Sequence, residues 1–169
     1  NARLGKNDYF VVEADESDAS FLDIKPYVAI VTNIENDHLD FYESMERIQD
    51  AFCQFLKQVA PTGFALLYGG DQHVQTIIGC LSTRTLIYGE DSSFDYYLEN
   101  WKPIGMGSVF DVYYHKKYLG QIQLSIPGKH NALNALASTA AAMELGQDFN
   151  KVKEALKSFP GAKRRFQVV

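Results

Sequence analysis

At 169 residues the chain suits one domain and at most fragments of a second, and its 46% hydrophobic content is enough for a globular core. No apolar run approaches the roughly eighteen residues of a membrane-spanning helix, and the net charge of -5 speaks against a nucleic-acid surface. No signal peptide opens the sequence at Asn1-Ala2-Arg3, and without an initiator methionine the chain reads as a piece of a larger protein. Acidic residues concentrate in Glu13 to Asp23 and in Glu35 to Asp50, with Lys163-Arg164-Arg165 as the basic exception. The two cysteines, Cys53 and Cys80, form no CxxC pair and fall in predicted helices, so reduced structural thiols in a cytoplasmic protein are expected.

In chain order, Asp8 to Ala14 reads as a buried strand and Asp15 to Leu22 as a polar loop or short helical turn. Pro26 precedes a second strand, Tyr27 to Asn33, apolar on both faces as in a parallel sheet covered by helices on each side. From about Glu43 to Val59, the residues Met45, Ile48, Phe52, Phe55, Leu56 and Val59 keep the spacing of one buried helix face. Pro61-Thr62-Gly63 ends that helix, Phe64 to Tyr68 is a further strand, and Gly69-Gly70 turns the chain. Asp71 is placed to cap a short helix carrying Val74, Ile77, Ile78 and Leu81, and Thr85 to Tyr88 gives another strand.

The pattern then changes. Phe94 to Ile126 is rich in tyrosine and β-branched residues, and Ile122, Leu124 and Ile126 alternate with polar neighbours, as in antiparallel strands with one wet face. His115-Lys116-Lys117 reads as a hairpin tip. After Pro127-Gly128, a small-residue helix from about His130 to Leu145 and a last helix from about Asn150 to Phe159 are expected, the latter burying Val152, Ala155, Leu156 and Phe159. The fold class is therefore α/β: a mostly parallel sheet flanked by helices, with a small antiparallel β annex.

Two strand ends carry the candidate chemistry. Glu13 follows the first apolar run, and Asp37-His38 follows the second. If the strands are parallel neighbours, both sets lie at the sheet edge where open α/β folds bind ligands. A carboxylate there suits Mg²⁺, a hard cation that prefers oxygen, and Asp37 can orient the His38 ring as an outer partner of the metal. Solvation alone explains an acid at a strand end or a histidine in a loop equally simply. Asn131 and Asn134, three apart, share one helix face, and an amide offers the donor and acceptor that a purine edge requires. Helix capping by Asn131 is the plainer alternative. Arg164 and Arg165 can neutralise phosphate, or form an exposed basic linker. No GxxxxGK[ST] loop and no GxGxxG occurs, so the sequence contains no phosphate cradle of either kind.

Taken in order, these motifs resemble the Mur ligases of peptidoglycan synthesis across nearly the whole chain. The residues that carry the resemblance are Asn1-Ala2-Arg3-Leu4-Gly5, Glu13-Ala14-Asp15-Glu16-Ser17-Asp18 with Ser20-Phe21-Leu22, Thr32-Asn33-Ile34-Glu35 with Asp37-His38, Pro127-Gly128 with His130-Asn131-Ala132-Leu133-Asn134, and Arg164-Arg165-Phe166. Ser17, the Ser20-Phe21-Leu22 run and Cys53, near where sibling ligases carry a carbamylated lysine, point to the branch that adds L-alanine. The resemblance implies that residues 1–162 are the central ATP-binding domain, incomplete at its N-terminus, and that 163–169 begin the linker to a C-terminal domain. It implies that ATP, with Mg²⁺, phosphorylates the lactyl carboxylate of UDP-N-acetylmuramate and that L-alanine attacks the acyl phosphate. It assigns metal binding and catalysis to Glu13 and His38, adenine binding to His130, Asn131 and Asn134, and a nucleotide contact to Arg165, with Arg164 beside it. It also implies a phosphate loop before Asn1 and flanking N- and C-terminal domains, without which the chain alone is expected to be inactive. The alternatives are a ligase that recycles murein tripeptide onto the same sugar nucleotide, and a non-catalytic nucleotide-binding module on the same fold.

Overall fold

The computed structural model describes residues 9–37 and 39–161. His38, Arg164, Arg165 and the expected linker 163–169 lie outside the described residues. One six-stranded sheet organises the chain, with strands in sequence order from β1 to β6. The first four strands are β1 (Val28–Val31), β2 (Phe64–Tyr68), β3 (Arg84–Gly89) and β4 (Tyr96–Ile104), all parallel. From β4 the sheet continues antiparallel through β5 (Gly107–Tyr114) and β6 (Lys117–Leu124). The helices are α1 (Leu39–Tyr42), α2 (Met45–Lys57), α3 (Gln72–Ile77), α4 (Lys129–Glu144) and α5 (Phe149–Lys157).

Alternation along the strands sends side chains into two cores. On one face Ala29, Val31, Ala65 and Leu67 meet Ile48, Phe55 and Leu56 of α2 and Val74 and Ile77 of α3. On the other, Phe64, Leu66, Leu86, Phe110 and Ile122 meet the alanine-rich face of α4 around Leu136. Each fully buried leucine here contributes about 1.5–3 kcal/mol. Ser44 caps α2, and Asp71 caps α3 by accepting from the amides of His73 and Val74, both at 2.8 Å. The β5–β6 turn is His115-Lys116, both at positive φ, as a two-residue hairpin turn requires.

The seam between the parallel sheet and the annex is narrow. Only Tyr88–Tyr96 and Gly89–Tyr97 pair across it. The Asp95 carboxylate extends the ladder by accepting from the Ile87 amide at 2.7 Å, while its carbonyl accepts from the His115 amide at 2.9 Å. One side chain thus stands in for a strand residue where β4 joins β3.

Three expectations are corrected. The run from Asp8 to Ala14, read as a buried strand, has no regular structure over residues 9–14, and Phe10 and Val11 are 87% and 93% exposed. A strand apolar on both faces needs a pairing partner and two covering layers, and the described residues supply neither to it. The last helix does not fully bury any residue: Val152 and Leu156 rest half-buried, while Ala155 and Phe159 are exposed. It lies over the end of the annex rather than inside the core. Finally, Cys53 and Cys80 are not free thiols but a disulfide between α2 and the 3-10 turn Ile78–Cys80, with Cα atoms 5.5 Å apart. The sequence sets them 27 positions apart and gives no sign that α2 and this turn pack side by side.

A buried polar knot anchors the C-terminal end of α4. Glu144 accepts from the Tyr96 hydroxyl at 2.8 Å and pairs with Arg84 at 2.6 Å. Its side chain is 9% exposed, whereas Arg84 is half in solvent. Glu144→Ala therefore strands a buried phenol and is expected to cost about 2 kcal/mol. Arg84→Ala, at a solvent-screened partner, should cost less than about 1 kcal/mol. Urea denaturation of the two variants checks the order. Burial, and then the bond to Glu144, push the Tyr96 phenol well above its ordinary range. The unfolded chain ionises this group near pH 10 while the folded chain does not, so stability present below pH 10 is lost as pH rises above it. Tyr96→Phe should flatten that alkaline fall by up to about 1.4 kcal/mol per pH unit, measured by denaturation between pH 9 and about 11.

Candidate functional site

The carboxyl ends of β1, β2 and β3 share one edge of the sheet, where parallel α/β folds place ligands. Three local structures build that edge. After β1, the Thr32 hydroxyl donates to Asn33 Oδ1 at 2.9 Å, and Asn33 Nδ2 donates to Glu35 Oε1 at 2.8 Å, forming an exposed polar chain that leads to Asp37. After β2 and β3, the Phe94 ring lies against Gly69 and Gly89, where an added Cβ would come within 2.5 Å and 2.9 Å of it. At the start of α4, Lys129 pairs with Glu90 just past β3, and Glu90 also accepts from the Tyr68 hydroxyl at the end of β2, at 3.4 Å. The half-exposed Glu90–Lys129 pair lies where the N-terminus of a sixteen-residue helix meets the strand ends, and the helix dipole there favours an anion.

The acidic segment reaches this edge indirectly. Glu13 is exposed in irregular chain, so the structure does not set it at the end of a strand. Downstream, the segment is fixed. The Tyr42 hydroxyl donates to the Glu16 carbonyl at 2.5 Å, the Gln58 amide donates to the Leu22 carbonyl at 2.5 Å, and Phe21 packs between Phe52 and Phe55. Tyr42 stands in α1, which opens directly after Asp37 and position 38. One hydrogen bond therefore ties the acidic turn to the segment that carries the other metal candidate. Asp15 and Asp18 accept from the amides of Ser17 and Ser20, and the Ser20 bonds hold the Asp18 carboxyl below its usual range. Burial, and then the nearby Glu16 charge, raise the Tyr42 phenol.

The asparagine motif sits on the first turns of α4. Gly128 precedes it at φ 98°, and a Cβ there would meet the His130 ring at 2.5 Å, so the exposed imidazole folds back over this glycine. Asn131 is half-buried and donates one N–H to the Pro127 carbonyl at 2.6 Å, which leaves its second N–H and its carbonyl oxygen for other partners. This is a local anchoring role, but the helix cap is Gly128 and not Asn131. Asn134 is exposed on the next turn.

A cavity of about 430 Å³ opens beside Lys129 and was not foreseen from sequence. Glu90, Leu98, Glu99, Asn100, Trp101 and Lys129 line it. It exists because β4 bulges between Glu99 and Lys102, with Asn100 at positive φ and its amide donating to Asp111 at 2.8 Å. The indole N–H of Trp101 is buried there without a partner. It is an open depression rather than an enclosed cavity, with Glu90 and Glu99 facing Lys129 across its lining. For a metal the donors are fewer. No cluster of three or more His, Cys, Asp or Glu side chains occurs among the described residues.

The family profile described as "Mur ligase middle domain" matches residues 1–142. The UDP-N-acetylmuramate--L-alanine ligase of Syntrophomonas wolfei subsp. wolfei is 57% identical over 99% of this chain, and the chain spans 37% of that relative's length. Among solved structures, the UDP-N-acetylmuramate-alanine ligase of Thermotoga maritima superposes with a TM-score of 0.78 at 30% identity, over 91% of this chain and 34% of the other. The UDP-N-acetylmuramate:L-alanyl-gamma-D-glutamyl-meso-diaminopimelate ligase of Neisseria meningitides gives 0.79 at 29%, over 90% and 48%.

Two substitutions test the local geometry. Gly128→Ala forces a side chain into positive φ against His130 and should destabilise by about 1–3 kcal/mol, read by thermal unfolding. Tyr42→Phe keeps the ring and removes the bond to Glu16. It should cost about 1 kcal/mol and speed hydrogen exchange at the amides of Ser17 and Ser20, while those of α4 stay unchanged.

Proposed function

The chain belongs to the Mur ligase family, matching its middle domain, and from that premise we propose that it is the central ATP-binding domain of a UDP-N-acetylmuramate–L-alanine ligase of the cytoplasm. The observation that carries the reading is the position of the α4 N-terminus, where Lys129 pairs with Glu90 just past the carboxyl end of β3. The 57% identity to an alanine-adding relative supports the choice of branch. In this reading residues 1–162 form the domain, 163–169 begin a linker, and a phosphate loop and flanking domains belong to the rest of the protein.

The whole enzyme joins the lactyl carboxylate of UDP-N-acetylmuramate to L-alanine at the expense of ATP, by way of an acyl phosphate. ATP and the sugar nucleotide are both polyanions, so their approach needs positive charge and aligned dipoles. The α4 N-terminus supplies a dipole. The free N–H and carbonyl oxygen of Asn131 match the acceptor and donor of an adenine edge, with Asn134 and His130 beside it. Arg165 and Arg164 are the side chains proposed to offset phosphate charge. Glu13 and His38 would hold Mg²⁺, which when bound would offset phosphate charge. Tyr42 acts as a positioning residue, because it fixes the backbone three residues after Glu13 to the helix that begins one residue after His38.

The test uses the full-length parent. L-alanine-dependent release of phosphate from ATP, in the presence of UDP-N-acetylmuramate, is the expected result. Preference for murein tripeptide as acceptor would move the protein to the recycling ligases, and no turnover with either acceptor would make the domain a non-catalytic nucleotide-binding module. In the same protein, Asn131→Ala should raise the KM for ATP about tenfold with little change in kcat, the cost of about one hydrogen bond. Glu13→Gln should lower kcat and raise the Mg²⁺ concentration needed for half activity. The 169-residue chain alone is expected to show no ligation.

A further inference from the structure

Cys53 and Cys80 meet far from the carboxyl edge. Cys53 lies in the second half of α2, 9% exposed and packed within the apolar core. Cys80 ends the 3-10 turn Ile78–Cys80 that follows α3, and it is half-buried. The neighbouring Gly79 is exposed, and a Cβ built on it meets nothing within 4 Å. The two cysteines thus differ in access: Cys53 is a member of the core cluster, while Cys80 is half-buried at its margin and packs against it. α2 is held independently by Ile48, Phe55 and Leu56, which are all buried, whereas the turn contributes no fully buried residue and rests Ile78 and Cys80 half-buried against the same core. The bond therefore staples a half-buried turn at the margin of the core to a firmly packed helix.

We propose that Cys53–Cys80 is a reversible thiol–disulfide exchange site, entered at Cys80 Sγ by a small thiol or disulfide of the glutathione type, that switches the turn Ile78–Cys80 between stapled and released. In the reducing direction an external thiolate attacks Cys80 Sγ. The Cys53–Cys80 bond breaks, a mixed disulfide forms on Cys80, and Cys53 leaves as thiolate and takes up a proton. A second external thiolate then attacks the mixed disulfide and frees the Cys80 thiol, so that two small thiols are oxidised to one small disulfide. Oxidation runs the same steps backwards, with the small disulfide accepting the two electrons. Attack at the reachable sulfur governs such exchange. The bond closes a 27-residue separation, so opening it gives entropy back to the unfolded chain. The site lies on the amino-end side of the sheet, so exchange should change stability and leave the geometry around Glu90 and Lys129 intact. The proposal goes beyond the ligase reading and stands if that reading fails.

The purified chain tests it. After equilibration with glutathione disulfide and denaturation, no thiol should react with maleimide, and after excess reduced glutathione two should react. Two free thiols under the oxidising condition would overturn the proposal. Reduction should lower the melting temperature by on the order of 10 °C, and the double variant Cys53→Ser/Cys80→Ser should melt alike with and without reductant. A wild-type melt indifferent to reductant, or an equal shift in the double variant, would overturn it. Brief exposure of the oxidised wild type to reduced glutathione, followed by acid trapping and peptide mapping, should find the mixed disulfide on Cys80. Finding it on Cys53 would refute the assigned point of entry, and this arm needs no variant to fold.

Discussion

The structure depends on the burial of β2 from both faces. Ala65, Leu66 and Leu67 are fully inaccessible, and alternate residues of this one strand feed the two cores. A strand apolar on both sides must be sandwiched. That requirement calls for α2 and α3 on one face and α4 on the other, and it leaves only the strand ends for polar chemistry. The candidate site is thus where a doubly covered parallel sheet stops being covered. Its carboxyl ends meet loops whose polar groups, such as Asn33, Glu35 and Glu90, satisfy one another or a neighbouring lysine.

The same constraint explains why two kinds of sheet share one core. β4 leaves the parallel set after two residue pairs and continues as an antiparallel meander, yet Leu98, Phe110, Val112 and Ile122 still face α4. The annex is an extension of the second core, and its outer face carries the stacked Tyr97–Tyr113 pair, with ring centroids 4.8 Å apart. The bulge that opens the cavity around Trp101 lies where β4 has left β3 behind and answers only to β5, so the strand can kink there without breaking the parallel ladder.

Much of this was legible because it is local or periodic. The strand Phe64–Tyr68, the cap at Asp71, the period-three-to-four face of α2 and the His115-Lys116 turn all follow from residues within one turn or one strand of each other. Features that join distant segments were not legible. Nothing in sequence brings Cys53 to Cys80, the Tyr42 hydroxyl to the Glu16 carbonyl, or Lys129 to Glu90. The bulge at Asn100 left a faint signal, a residue tolerant of positive φ beside a tryptophan, but no spacing rule locates the cavity it makes. The strand expected at Asp8 to Ala14 shows the opposite error. Its composition is right for a strand, but composition cannot supply the neighbour that a strand pairs with.

Among the described residues, β1 is an edge with one paired neighbour, β2, and Ile30 on it is 42% exposed. The exposed run Tyr9 to Val12 and the half-exposed Tyr27 and Phe41 add to the apolar surface at this end of the chain. An open strand edge with greasy, β-prone residues nearby is a template for pairing between molecules. For the 169-residue chain, this edge is the place where association between copies is to be looked for first. Lysine placed at position 30, on the open edge strand, is the surface change most suited to keeping it dispersed.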